Sequence, residues 1–218
     1  MPNLNSTRCL SAAAIAGAAV AAYVALIRPW HLKWGATPEE IAADLPGDEL
    51  TPGCTWSATH AITIDAPPSE VWPWIVQLGQ DKAGFYSYSW LENAIGCHMG
   101  SSDHIVPEYQ HIAAGDSIWL HPKAPPLPVE IVEPERALVL GSNTSAPGTW
   151  GFYLRPEGEC STRLIVRGRS RIDKNPISQI GHYGLFEPAH FIMERKMMLT
   201  IKSLATQPRH GSSSHPYF

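Results

Sequence analysis

Residues 61–74 read Ala61-Ile62-Thr63-Ile64-Asp65-Ala66-Pro67-Pro68-Ser69-Glu70-Val71-Trp72-Pro73-Trp74, and within them the hydrophobic period changes. Upstream, Trp56, Ala58, His60, Ile62 and Ile64 alternate with Ser57, Thr59, Ala61 and Thr63, the period of a strand that starts near Thr55. Downstream, Val71, Trp74, Ile75 and Leu78 fall at i, i+3, i+4 and i+7, one face of an amphipathic helix, with Gly79 placed to stop it. A first strand therefore runs straight into a first helix.

Working outward, Tyr88-Ser89-Trp90-Leu91-Glu92-Asn93-Ala94-Ile95 predicts a second short helix ending at Gly96. Strand-like runs follow at 117–121, 129–132, 137–140, 149–155 and 162–172, punctuated by Pro and Gly, as in an antiparallel meander. The last element reads as a helix starting at Pro188, with Phe186, His190, Met193, Met197, Ile201 and Leu204 on one stripe. A sheet with its helices on one face is an α+β solution.

This order resembles the SRPBCC superfamily of START-like lipid carriers, plant allergen-like binders and polyketide cyclase/dehydratase enzymes. The residues that carry the resemblance are 61–74, similar to the family's strand running into its first helix. Gly84-Phe85-Tyr86-Ser87-Tyr88-Ser89-Trp90-Leu91-Glu92-Asn93 and Phe186-Glu187-Pro188-Ala189-His190-Phe191-Ile192-Met193-Glu194-Arg195-Lys196 look like a bacterial subgroup with an N-terminal membrane segment. The resemblance covers about residues 55–205. It implies a helix-grip fold, a curved antiparallel sheet around a long C-terminal helix, with a hydrophobic cavity between them. The superfamily hosts carriers, enzymes and structural members, so the fold alone does not set the function.

With 218 residues, 44% apolar and 17% charged, the chain suits one domain and an appendage. A net charge of −4 lacks the basic field that nucleic acid requires, so no nucleic-acid partner is expected. Cys9, Cys54, Cys97 and Cys160 form no CxxC pair, and one lies in the apolar N-terminal run, which argues against a disulfide framework or a zinc knuckle.

Residues 9–27 carry no charge and would span about 28 Å as a helix, the thickness of a bilayer core. Arg28, Trp30, Lys33 and Trp34 follow as interfacial anchors. The run exceeds the roughly 7–15 apolar residues of a signal peptide, the competing reading. The expected layout is an N-terminal flank at 1–8, a transmembrane anchor at 9–30, a spacer at 31–54, the cavity domain at 55–205 and a mobile tail at 206–218. Within the spacer, Thr37-Pro38-Glu39-Glu40 reads as a helix start. The chain is thus expected to be a single-pass protein of the cell membrane. Unpaired cysteines favour the cytoplasmic side for the folded domain.

Four groups of residues are candidates for chemistry. Tyr86, Tyr88 and Trp90, with Phe85, Glu92 and Asn93, have the mixed apolar and polar character of a ligand-cavity mouth, or of a packed helix. His98, His104 and His111 with Asp103 and Glu108 offer metal-ligand types without a compact spacing, so no metal is expected; Asp103 and His104 could form an acid–base pair. Glu187, His190 and Glu194 lie at i, i+3 and i+7, which sets His190 beside the apolar stripe with Met193 and Met197, as a general base, a ligand donor or a satisfied core histidine. Arg163, Arg167, Arg169 and Arg171 share a strand face that meets either solvent or anionic headgroups.

GxSxG, P-loop and GxGxxG motifs are absent, and no cofactor is expected. The leading expectation is membrane-tethered binding or carriage of a hydrophobic small molecule such as a lipid, isoprenoid or polyketide-like compound. The alternatives are an accessory subunit of a larger membrane complex, and a cyclase, dehydratase or isomerase using His190, Tyr86, Asp103 or His104.

Overall fold

In a computed structural model, residues 14–207 are described apart from 16, 89, 91–92, 94–95, 98–99 and 142–147. Six strands form one sheet in the order β1-β6-β5-β4-β3-β2. They are β1 Trp56–Ile64, β2 Ser117–Ile118, β3 Leu127–Glu133, β4 Ala137–Leu140, β5 Gly148–Pro156 and β6 Thr162–Ser170, and every pairing is antiparallel. A bulge between Val129 and Ile131 interrupts the register of β3 with β4, a local device that bends a strand.

The helices are α1 over residues 17–31, α2 Pro38–Ala42, α3 Pro68–Val76 and α4 over residues 176–205. Val71, Trp74 and Ile75 of α3 are buried with Met197, Met198 and Ile201 of α4 and with Phe152, Leu164 and Val166 of the sheet. Each such aliphatic side chain stabilises the fold by roughly 1.5–3 kcal/mol. This sheet with α3 and the long α4 on one face is the helix-grip arrangement that the sequence led us to expect. The short helix expected at 88–95 falls mostly on residues outside those described, as does the tail from 208.

The stretch 31–54, expected as a spacer, packs against the sheet. Leu32 and Trp34 accept hydrogen bonds from the backbone N–H groups of Thr59 and Ala61, covering the free edge of β1. Gly35 follows at φ +73°, where a Cβ would lie 2.1 Å from the Ala61 carbonyl oxygen. The chain then crosses the outer face of the sheet, where Leu45 packs with Ala61, Ala137, Val139, Tyr153 and Ile165. A Thr37/Glu40 capping box starts α2 as its sequence indicates.

This strap changes the reading of the arginine row. Arg163 makes a two-pronged pair with Glu40, at 2.7 and 2.8 Å, and donates to the Gly35 carbonyl. Arg167 is buried and donates to Asp48, to Thr59 and to the carbonyls of Glu40, Ala43 and Ile41. Arg169 pairs with Asp48 at 3.1 Å. These three arginines fasten the strap, with Arg167 buried and Arg163 and Arg169 half-buried, while Arg171 lies beyond the end of β6 and is exposed.

The last helix also starts earlier than Pro188 suggests. Asn175 caps it, Pro176–Gly181 is α-helical, His182–Phe186 is a π-turn, and Glu187–Ala205 is α-helical again. Proline lacks an N–H and its ring crowds the carbonyl four residues back. Here the Glu187 N–H reaches back five residues to the His182 carbonyl, so the helix continues past Pro188. In α1 the π-turn Tyr23–Ile27 precedes Pro29 in the same way, with the Arg28 N–H bonded to the Tyr23 carbonyl.

Among the described residues no helix is long and apolar enough to cross a membrane; residues 9–13 and 16 of the uncharged run lie outside them.

Candidate functional site

A cavity of ≈ 690 Å³ lies between the concave face of the sheet and the first two thirds of α4. Its walls are mainly apolar and include Trp56, Phe85, Leu127, Trp150, Met193 and Met197, with His182, His190 and Glu194 as polar members. Trp56 comes from the inward face of β1, and its ring lies over Gly168 of β6, where a Cβ would come within 3.1 Å of it. Trp150 comes from β5 and packs on Phe152 at 4.8 Å between ring centres.

Two carboxylates on α4, Glu187 and Glu194, are buried, at 2% and 3% exposure. Burial of a charge is costly unless it is paired and hydrogen-bonded. Both glutamates meet that condition with the same set of partner types, a histidine and a tryptophan indole. Glu187 accepts from Trp56 Nε1 at 2.7 Å and His31 Nε2 at 3.0 Å, and from the Arg28 guanidinium at 2.9 and 3.0 Å. Glu194 accepts from Trp150 Nε1 at 2.7 Å and from His60 Nδ1.

The protonation state of His60 follows from its neighbours. Nδ1 faces the Glu194 carboxylate, and Nε2 lies 2.7 Å from the His31 carbonyl oxygen, which can only accept. Both ring nitrogens therefore carry protons when Glu194 is ionised. Burial pushes His60 down, but the Glu194 charge and hydrogen bond outweigh it and hold the imidazole above its ordinary range. For Glu194, burial pushes up, while His190, His60 and the Trp150 indole together hold the carboxyl below its ordinary range. Both shifts favour a buried imidazolium–carboxylate pair.

His190 is different. Its side chain keeps 23% exposure, toward the cavity, and its Nε2 lies 3.5 Å from Glu194 Oε2. Burial holds its imidazole below the ordinary value despite Glu194, so it is neutral and able to accept or donate one proton. Trp56, Trp150 and Phe186 surround its ring at 5.5–6.1 Å between centres. The arrangement places a titratable imidazole on the wall of a mainly apolar chamber, with a fixed carboxylate behind it.

Of the residues chosen from sequence, His190, Met193 and Met197 line this chamber. Tyr86 does not. It is 1% exposed, packs on Trp74, accepts a hydrogen bond from Gln77 Nε2, and is pushed up to about 12 by burial. Tyr88 is half-buried and outside the cavity, and Trp90 beside it is 71% exposed. Asp103 and His104 pair with each other at 3.1 Å on the surface, where each is at least 74% exposed, so they do not serve the cavity. Glu108 and His111 are exposed, and His98 lies outside the described residues. Among the described residues no group of three His, Cys, Asp or Glu side chains is placed to hold a metal ion.

Sequence reasoning missed His31, Trp56, His60 and Trp150 as partners of the two glutamates. The available signal was His60 itself, a titratable residue on the apolar face of an alternating strand. It also placed Phe186 on the buried stripe, whereas Phe186 is 51% exposed and Glu187 and Glu194 take that face.

No protein-family model matches the chain, and no curated protein sequence matches it. Solved structures resemble it at a distance. A protein from Mesorhizobium loti is 15% identical, with 68% of this chain and 96% of that chain covered, at a TM-score of 0.39. One from Staphylococcus saprophyticus is 19% identical, covering 67% and 89%, at 0.38. A truncated norcoclaurine synthase from Thalictrum flavum is 11% identical, covering 71% and 95%, at 0.43. The class rests on the chain's own topology: an α+β helix-grip protein with a ligand-sized cavity.

Proposed function

We propose that the chain binds or carries a hydrophobic small molecule in this cavity while tethered to a membrane through residues 9–30. The observation that carries the reading is the chamber itself, ≈ 690 Å³ with mainly apolar walls and a few polar groups, His190 and Glu194 of α4 among them. That volume falls within the roughly 300–1,000 Å³ of small-molecule sites, and few convergent polar groups in an apolar pocket suit a ligand with one polar end. The tether is supported by the uncharged run 9–27 and by Trp30 and Lys33, which follow it and are exposed. Native mass spectrometry of the full-length protein, released from mild detergent, tests the reading. A retained apolar compound is the expected result, and a protein that neither retains one nor takes up Nile red would refute it.

A specific observation favours a second reading, an enzyme of cyclase, dehydratase or isomerase type. The neutral His190 is fixed inside the cavity beside an ionised carboxylate, which is the geometry of a general base. Turnover of the retained compound would select it.

A further inference from the structure

The first part of α4 presents a ridge that the rest of the described fold leaves uncovered. Ile177, Ile180 and Leu185 are 80%, 74% and 74% exposed, and Phe186 is 51% exposed. Gly181 and Gly184 lie among them with open space around their Cα atoms, which keeps the ridge slim. Surface apolar residues scattered singly need no explanation, but a run on one element marks an interaction site.

This ridge is also the rim of the cavity, because Gly181, Leu185 and Phe186 belong to its wall. α1 is fastened beside it. The Arg28 guanidinium sits 5.0 Å over the Tyr183 ring, and Trp30 meets Phe191 edge-on at 5.5 Å. Val20, Val24 and Ile27 of α1 are exposed too, and they continue the uncharged run that starts at Cys9. Arg171 and Lys174, both exposed, precede the ridge on the side where it meets Asn175. Apolar side chains on one side with cations and amides at the margin is the pattern of a helix lying in a bilayer interface.

We infer that the 177–186 ridge seats in phospholipid beside α1, so that the cavity mouth opens into the acyl-chain region and the ligand passes between bilayer and cavity without crossing water. The inference rests on the membrane-tether and ligand readings above. The continuity of the ridge with the uncharged N-terminal run favours lipid over a second copy of the chain as its cover.

The test uses full-length protein in vesicles of phosphatidylcholine and phosphatidylglycerol. Ile180 is replaced by the photo-crosslinking amino acid benzoylphenylalanine, and, in a control, so is Glu159, an exposed residue in the turn between β5 and β6. Illumination should give lipid adducts at position 180 and none at 159. In the same vesicles, loaded with a pyrene-labelled fatty acid, the Ile177→Asp/Ile180→Asp variant should acquire the probe at least tenfold more slowly. Lipid adducts at 180 without any probe uptake by the unsubstituted protein would support the docking and reject the ligand reading. Absence of lipid adducts at 180, equal adducts at both positions, or a crosslink between two copies of the chain would overturn the inference.

Discussion

Arg28 and Glu187 stand 159 positions apart yet occupy equivalent places in two helices. Each follows a five-residue π-turn and precedes a proline, and each bonds its backbone N–H five residues back. Their side chains meet in a two-pronged ion pair, with Glu187 buried and Arg28 half-buried. The N-terminal helix is thereby joined to the helix that walls the cavity.

Replacing Arg28 by Met leaves the Glu187 carboxylate with only His31 and Trp56, and should lower stability by about 2–3 kcal/mol. Adding Glu187→Leu to that variant should cost less than Glu187→Leu alone, with a coupling energy of at least about 1 kcal/mol. Thermal unfolding of the full-length protein in mild detergent measures the cycle, and additive effects would show that the pair contributes nothing as a pair.

The His60–Glu194 pair sets a pH dependence of stability. His60 is raised in the native state, so its contribution is full below its ordinary 6.5 and is lost as pH climbs through the raised value. Glu194 is lowered, so its contribution is full above 4.5 and is lost as pH falls through the lowered value. His31, His182 and His190, lowered chiefly by burial, act against His60 and in the same sense as Glu194, favouring the native state above 6.5 and losing that advantage on acidification. The difference in stability between the natural protein and His60→Gln should therefore be largest between about pH 4.5 and 6.5 and shrink on either side. Urea unfolding across pH 4–9 gives the profile. A difference that grows with rising pH would contradict an imidazolium at position 60.

Met193 and His190 test the cavity from two sides. Met193→Trp should fill space and weaken Nile red uptake several-fold without unfolding the domain. His190→Gln removes at most one hydrogen bond to the ligand and should change affinity by about 1–2 kcal/mol, roughly five- to thirtyfold. Intact affinity with loss of a wild-type conversion of the copurified compound would instead make the protein an enzyme.

Arg167 holds the strap. Arg167→Met strands the carbonyls of Glu40 and Ala43 and should destabilise by about 3–5 kcal/mol, with residues 35–54 becoming sensitive to limited proteolysis. Unaltered cleavage rates would mean that the apolar contacts of Leu45 and Ala36 hold the strap without it.

Much of the fold was legible because one face of β1, α3 and the end of α4 is apolar at a single period, and periodicity survives without knowledge of partners. The strap was illegible because its own sequence is polar and rich in Pro and Gly; its fastening comes from arginines more than a hundred positions away. For the same reason the spacing of Glu187 and Glu194 around His190 did not reveal that both carboxylates are buried. What buries them are residues of β1 and β5 and the end of α1, which no local window contains. His190 could be placed because it shares a helix with Met193 and Met197. Tyr86 could not, since an aromatic in a loop carries no period, and its left-handed backbone at φ 54° turns it into the core.

Each π-turn adds a residue to a helix that otherwise advances about 100° per residue. The two turns act as matched phase shifts, one in each helix, and they put Arg28 and Glu187 opposite each other. Deleting Gly184 would take the extra residue out of the turn and rotate everything before it by roughly that angle relative to the helix beyond Pro188. The walls of the chamber beyond Glu187 would keep their places, while Ile177 and Ile180 would point in a new direction. The number of residues in a single turn thus sets the compass bearing of the chamber's rim, independently of what the rim is made of.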